Sequence, residues 1–358
     1  MRTHRLLLSL IFLTLLSACA DTRYYLQSIG GHLQMLQAAR PIEQWLADEK
    51  ASAALKQRLL LARRIRKFAV EEIRLPDNAS YTRYAALQRP FAVWNVVAAP
   101  ELSLSLKTWC FPVAGCVAYR GYFEQTEAQA QGQALQAQGL EVSVYGVPAY
   151  STLGWMNWAG GDPLLDTFIP YPDGELARLV FHELAHQVVY VKDDTLFNES
   201  FATAVERLAG ARWLAAHGSP ESRRAYAEID ARRQQFRALA LGARERLRVI
   251  YSQDQVGDTN ALLTMKKQVI EDFREDYVRL KRQWGGYSGY DGWVAAANNA
   301  SFGIQASYDG LVPAFEILFE REGQDWQRFY DAVRRLALET GPQRMRYLKQ
   351  LSGEHARG

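Results

Sequence analysis

Two histidines four residues apart, His182 and His186, with Glu183 between them, are the residues of this chain best placed to do chemistry. On a helix, positions i and i+4 lie one turn apart on one face, so both imidazoles can reach one point in space. Two imidazole nitrogens so placed can bind one Zn²⁺. Glu183 projects from the adjacent side of the same turn, where it can reach a water on the metal without being a ligand. Leu184 and Ala185 fill the interval and give the helix an apolar side to bury. The chemistry implied is hydrolysis. The metal lowers the pKa of its bound water towards about 7 and polarises a carbonyl. The carboxylate takes the water's proton and passes it to the leaving group.

A catalytic zinc takes a third protein ligand and keeps a fourth position open, whereas a structural site is closed by four protein ligands. The chain has six His, and His32, His217 and His355 have no spacing that recommends them. Carboxylates offer more. Glu199 and Glu206, in Phe197-Asn-Glu-Ser-Phe-Ala-Thr-Ala-Val-Glu206, are seven apart and share a helix face. A turn through Lys192-Asp193-Asp194 would fold this second helix back against the first. Either acid could then complete the metal set, Glu199 from the start of the helix or Glu206 from two turns on.

The elements that must position these residues give an α+β protein, mostly helical. Residues 24–75 read as a helical N-terminal part, with Leu55, Leu59, Ala62 and Ile65 at helical spacing and Pro76-Asp-Asn78 as the stop. Residues 90–170 read as a small sheet region. The runs Phe91–Val97, Ala118–Phe123 and Val142–Val147 are β-branched and aromatic. An Ala/Gln-rich crossover helix fills 124–138, and Leu164–Ile169 is a further candidate strand. The metal helices occupy 174–217, with Asp173 and Asn198 as candidate N-caps. Long charged amphipathic helices fill 220–345. Trp155 and Trp158 read as core packing, and Asp162 and Asp166 as turn residues.

The ends and the cysteines concern location. Arg2, His4 and Arg5 precede an apolar run from Leu6 to Leu16, which is too short to span a bilayer. The segment then closes in Leu16-Ser-Ala-Cys19, which resembles a bacterial lipobox. The expectation is a lipoprotein signal over 1–18, lipidation of Cys19, and one domain over 19–358 anchored in the cell envelope, facing the periplasm, with the outer membrane favoured. An exported chain with two further cysteines, Cys110 and Cys116, is expected to pair them in a disulfide. A net charge of +3, with Arg interleaved among Glu and Asp, argues against a nucleic-acid partner.

The motif and its surroundings also carry a resemblance. His-Glu-Leu-Ala-His followed by Asn-Glu-Ser-Phe-Ala resembles the gluzincin metallopeptidases, above all the aminopeptidase N type with H-E-x-x-H and N-E-G-F-A. Cys116-Val-Ala-Tyr-Arg-Gly-Tyr-Phe123, Tyr150-Ser-Thr-Leu-Gly-Trp155 and Asp162-Pro-Leu-Leu-Asp-Thr-Phe168 are similar to the aminopeptidases of bacterial envelopes. The resemblance implies a zincin-like core with a small sheet and surrounding long helices, acting on peptide substrates. It implies His182, His186 and Glu199 as ligands of one Zn²⁺, Glu183 as general base, and Glu206 as an acid that orients a ligand His. In such enzymes a tyrosine steadies the oxyanion. Tyr308, in polar sequence after a Gly-rich break, is the first choice here and Tyr190 the second. Two departures stand out. Glu199 follows His186 sooner than in aminopeptidase N. The G-A-M-E-N segment that grips a free amino terminus is replaced by Gly154-Trp-Met-Asn-Trp158.

Overall fold

A computed structural model of the chain describes residues 22–111, 115–252 and 258–355. Cys19 lies outside them. Helix α1 covers 22–38 and leads through β1 (Arg40–Pro41) into α2 (Ile42–Ala47) and α3 (Ala53–Glu71). The sheet region holds β2 (Arg83–Ala85), β3 (Val93–Pro100), β4 (Trp109–Phe111), β5 (Gly115–Val117), β6 (Arg120–Tyr122), α4 (Gln125–Gln136), β7 (Leu140–Val147) and β8 (Leu164–Leu165). Helices α5 (Asp173–Ala185) and α6 (Thr195–His217) follow. Beyond them come α7 (Pro220–Ser252), α8 (Thr259–Gln283), α9 (Asp291–Ala295), α10 (Asn299–Asp309), α11 (Val312–Arg321), α12 (Trp326–Ala337) and α13 (Gly341–His355). The class is α+β and mostly helical, as the patterning requires.

Among the described residues there are three small sheets, in the orders β1-β2-β8, β6-β3-β7 and β4-β5. The middle one is antiparallel, with Val96 opposite Arg120 on β6 and Val144 on β7. Side chains alternate along β3. Val96 and Ala98 therefore pack with Ala128 and Leu135 of α4, while Val97 and Ala99 pack with Ala300 and Ile304 of α10. The helix on that second face also lies against α6, so the sheet is seated over the helix pair through α10.

That pair is the centre of the molecule. In α5, Leu176, Val180 and Leu184 recur every four residues and, with Ala177 and Phe181, are fully buried. Asp173 and Glu175 sit in its first turn, where acids complement the helix dipole. Every residue of α6 from Phe197 to Val205 is buried, polar ones included, the mark of a helix enclosed on all sides. Phe201 meets Phe315, Phe329 and Tyr330 edge-on or tilted. Its truncation to Ala would cost roughly 3–5 kcal/mol.

Four local expectations need correction. Asp173 is not the cap of α5 but its first residue, after Pro172, and no side chain caps that end. The strand proposed for Leu164–Ile169 is only two residues long. Asp166 turns away to accept the amides of Leu87 and Gln88, and Ile169 N–H closes a turn on Leu165 O. The second metal helix starts at Thr195 rather than Asn198. Asp194 caps it by accepting Phe197 N–H at 3.1 Å. Trp155 and Trp158 are not core residues but 63% and 83% exposed. Cys110 and Cys116 face each other across β4 and β5 and are disulfide-bonded.

Candidate metal centre and its cleft

His182 lies in the last turn of α5, and His186 is the residue that caps the helix. The negative end of the α5 dipole is thus turned on both rings, a favourable setting for a cation. Glu199 comes from the second turn of α6, antiparallel to α5. The eight-residue connection between them is held tightly. Asn198 clamps Val191, accepting its N–H at 2.8 Å and donating to its C=O at 2.7 Å. Gln187, directly after His186, accepts from Asn78 Nδ2 at 2.7 Å and donates to the buried Ser80 hydroxyl at 3.2 Å. Arg344 of α13 reaches Asp194 Oδ2 at 2.7 Å, and Asp193 Oδ1 accepts the Cys116 amide at 2.5 Å.

The result is a triangle of donor atoms. His182 Nε2 and His186 Nε2 are 3.2 Å apart, and Glu199 Oε2 lies 3.3 Å from the first and 3.6 Å from the second. In tetrahedral zinc with bonds of about 2.0–2.1 Å, neighbouring ligand atoms stand about 3.3–3.4 Å apart. The donor set, two imidazoles and one carboxylate, and its spacing therefore fit one Zn²⁺ without rearrangement. Among the described residues these are the one group of three whose potential ligand atoms converge in this way.

Glu206 lies on the far side of the His182 ring, its Oε2 3.1 Å from Nδ1. It is also ion-paired with Arg178, which is buried and further contacts Glu175 and Asp230. Burial alone would push the Glu206 carboxyl up. The Arg178 charge and the His182 ring outweigh it and hold the group at about 2. For Glu199, burial is likewise outweighed by the His186 and His182 rings, and the pKa settles at about 2. Burial disfavours a charged His182 ring, but its contacts with Glu199 and Glu206 prevail and raise it well above the usual histidine value. Both acids are thus anionic at neutral pH.

His182, Glu183, His186 and Glu199 form the floor of a cleft of about 430 Å³. Its roof is aromatic: Tyr24 and Tyr25 of α1, Phe111, Tyr119, Phe123 and Tyr150, with Asn95 of β3 among them. Tyr190 stands at the floor beside His186. Burial pushes its phenol to about 12, with Glu199 adding to the shift, and drives Tyr119 well above 10. Both hydroxyls stay protonated at neutral pH and can donate. Tyr308 is at the C-terminal end of α10, where the next turn meets α6 through Leu311 N–H and Ser200 Oγ at 3.2 Å. Its side chain lies outside the described residues.

The structure thus brings His182, Glu183, His186, Glu199, Glu206 and Tyr190 together. Tyr119, Asn95 and Arg178 were missed by sequence reasoning. Arg178 left a signal, since it precedes His182 by four residues on the same helix face. Tyr119 lies in the Cys116–Phe123 stretch that carries the resemblance, and Asn95 left no signal. Asp162, read as a turn residue, staples the loop over the cleft by accepting Thr152 N–H at 3.1 Å and Thr152 Oγ1–H at 2.8 Å. There the backbone of Gly161 runs so close to Ser80 that a Cβ would clash, and its φ of +65° also favours glycine.

No curated protein and no solved structure matches this chain. One family model does match, over residues 23–348, and its description is “Putative aminopeptidase”; the chain belongs to that family.

Proposed function

We propose that the protein is a zinc-dependent aminopeptidase of the cell envelope, anchored through lipid on Cys19, with His182, His186 and Glu199 as the ligands of one Zn²⁺. The triangle of Nε2, Nε2 and Oε2 atoms carries this reading, supported by the family. When bound, zinc supplies a Lewis acid for the scissile carbonyl and an acidified water. Glu183, on the cleft floor and outside the ligand triangle, would accept a proton from the attacking water and return it to the leaving amine. Glu206 holds the His182 ring through Nδ1, fixing its tautomer so that Nε2 is free to ligate. Tyr190 or Tyr119 supplies the neutral donor for the oxyanion. Tyr308 is the third candidate for that role by its place in the chain. The aromatic roof removes water around the peptide and accepts its apolar side chains.

One observation favours a second reading, a zinc endopeptidase. Among the described residues lining the cleft, Glu183 and Glu199 are the only carboxylates, so no further acid is set there to receive a free amino terminus. A peptide digest with wild-type protein and Glu183→Gln decides both points. Zinc in both proteins with cleavage by the wild type alone is expected. Single residues released from the amino end mean aminopeptidase, and internal cuts mean endopeptidase. Cleavage undiminished in Glu183→Gln refutes the mechanism.

A further inference from the structure

Helix α1 carries one charged side chain, Arg23, which is ion-paired with Glu127 of α4 at 2.8 Å, and no other Asp, Glu, Lys or Arg as far as Ala39. One face of it is occupied: Gln27 accepts Phe123 N–H at 3.1 Å, Met35 is buried, and His32 packs on Tyr150. Gly31 lies so close to Phe123 that a Cβ there would enter the ring. The other face is open. Leu26, Ile29 and Leu33, at i, i+3 and i+7, are 66%, 57% and 49% exposed. A helix bordering water places charges on its outer face, and this one places leucine and isoleucine.

Three observations say what covers that face. Only Ala20 and Asp21 separate Cys19 from the start of the helix at Thr22, a reach of about 10 Å at most. Trp155 and Trp158 are exposed on the neighbouring loop. Arg83 ties that loop to the end of the helix, donating to Leu36 O at 2.9 Å and to Ala159 O at 3.4 Å. Tryptophan beside an uncharged apolar stripe is the composition that settles at the boundary of headgroups and acyl chains.

We infer that the outer face of α1, with Trp155 and Trp158, lies in the surface of the lipid bilayer. The proposal rests on the Cys19 anchor and not on the peptidase reading. The helix is not a membrane span, and no described helix is long and apolar enough to be one. It lies flat, with Leu26, Ile29 and Leu33 inserted about 5–10 Å deep. Tyr25 belongs to both the cleft wall and the helix surface, so the edge of the cleft sits at the lipid boundary. Substrates then arrive as segments presented at the membrane surface. Because the three inserted side chains are uncharged and Arg23 is paired with Glu127, insertion depends little on anionic lipid or on salt.

The test uses the exported, acylated chain on phosphatidylcholine vesicles with brominated acyl chains, which quench nearby tryptophan. Mass spectrometry reads the acylation separately. Quenching of the wild type, unchanged by salt, is expected. Trp155→Phe/Trp158→Phe should lose most of it although seven of the nine Trp remain. Leu26→Gln/Ile29→Gln/Leu33→Gln should reduce it while keeping the acyl group and the thermal midpoint. An unacylated wild-type chain, no quenching in an acylated one, or equal quenching in all three proteins overturns the proposal. A wild-type dimer in detergent that the triple variant loses also overturns it, assigning the face to a second copy.

Discussion

The floor and the roof of the cleft are built on opposite principles. The floor is charged and local: His182, Glu183, His186 and Glu199 fall within eighteen consecutive residues, and each charge is answered by another nearby. Behind it, Glu206 and Arg178 carry the pairing one layer deeper. The roof bears no charged side chain, and its residues come from α1, from β3 and β4, from the two residues flanking β6 and from the loop at Tyr150. Under the proposed function the difference separates two tasks. A metal and a proton-transfer group need fixed geometry, which short helical spacing supplies. Binding a peptide needs dry apolar surface, which any part of the chain can supply once folded.

Breaking the floor should have the largest effect. Glu199→Ala is expected to lose zinc on dialysis and all hydrolysis with it, whereas Glu206→Gln should weaken zinc only about 10–100-fold. Equal metal retention in the two variants, by elemental analysis, would make Glu199 no ligand. The next effect is that of Tyr190→Phe, which should lower kcat about 10²–10³-fold with zinc content unchanged. If kcat holds, the same substitution at Tyr119 and then at Tyr308 locates the donor.

Changes in the roof should be gentler. Tyr150→Ala is expected to raise KM for peptides with apolar side chains roughly tenfold, about 1.4 kcal/mol, leaving kcat within about a factor of two of the wild type. A fall in kcat with constant KM would instead place Tyr150 in the reaction. Reducing Cys110–Cys116 removes a short loop constraint worth about 2 kcal/mol. A lower denaturation midpoint with zinc retained would confirm that the hairpin steadies the roof and its contact with Asp193 without holding the metal. Zinc loss on reduction would erase the distinction between the two sides.

A last effect, on stability rather than on the site, concerns pH. Burial raises Asp162 to about 6, and Glu183 adds to the shift. The folded chain therefore binds this proton more tightly than the unfolded chain, whose value is near 3.9. Stability from this group is full below about pH 4 and is lost as pH rises through about 6, a change of up to roughly 3 kcal/mol. Asp162→Asn should flatten that slope in urea melts at about pH 4.5 and 7.5. Parallel profiles for the two proteins would show that Asp162 does not titrate in this range.

How much could be read in advance follows the same division. The helical spacing of the floor is written in the sequence, and so is the return of α6 carrying Glu199. The α+β class and the crossover helix α4 were legible because period-2 and period-3.6 patterns are local. The cap of α6 was misread because Asp194 and Asn198 have equal capping chemistry, and only the fold shows that Asn198 spends both its polar atoms on Val191. The roof was illegible. Tyr24, Asn95 and Tyr150 have no mutual spacing, and their meeting depends on where α1 and the sheet come to rest. Trp155 and Trp158 were assigned inside on hydrophobicity alone, which cannot tell a core from an exposed face with another use.

The Arg344–Asp194 ion pair has a consequence for the order of assembly. Arg344 is fourteen residues from the end of the chain, yet it braces the first turn of the helix that carries Glu199, and its guanidinium also covers Phe197. Contacts of such long sequence separation form late in folding. The candidate metal centre therefore acquires its final shape only once the segment carrying Arg344 has docked on α6.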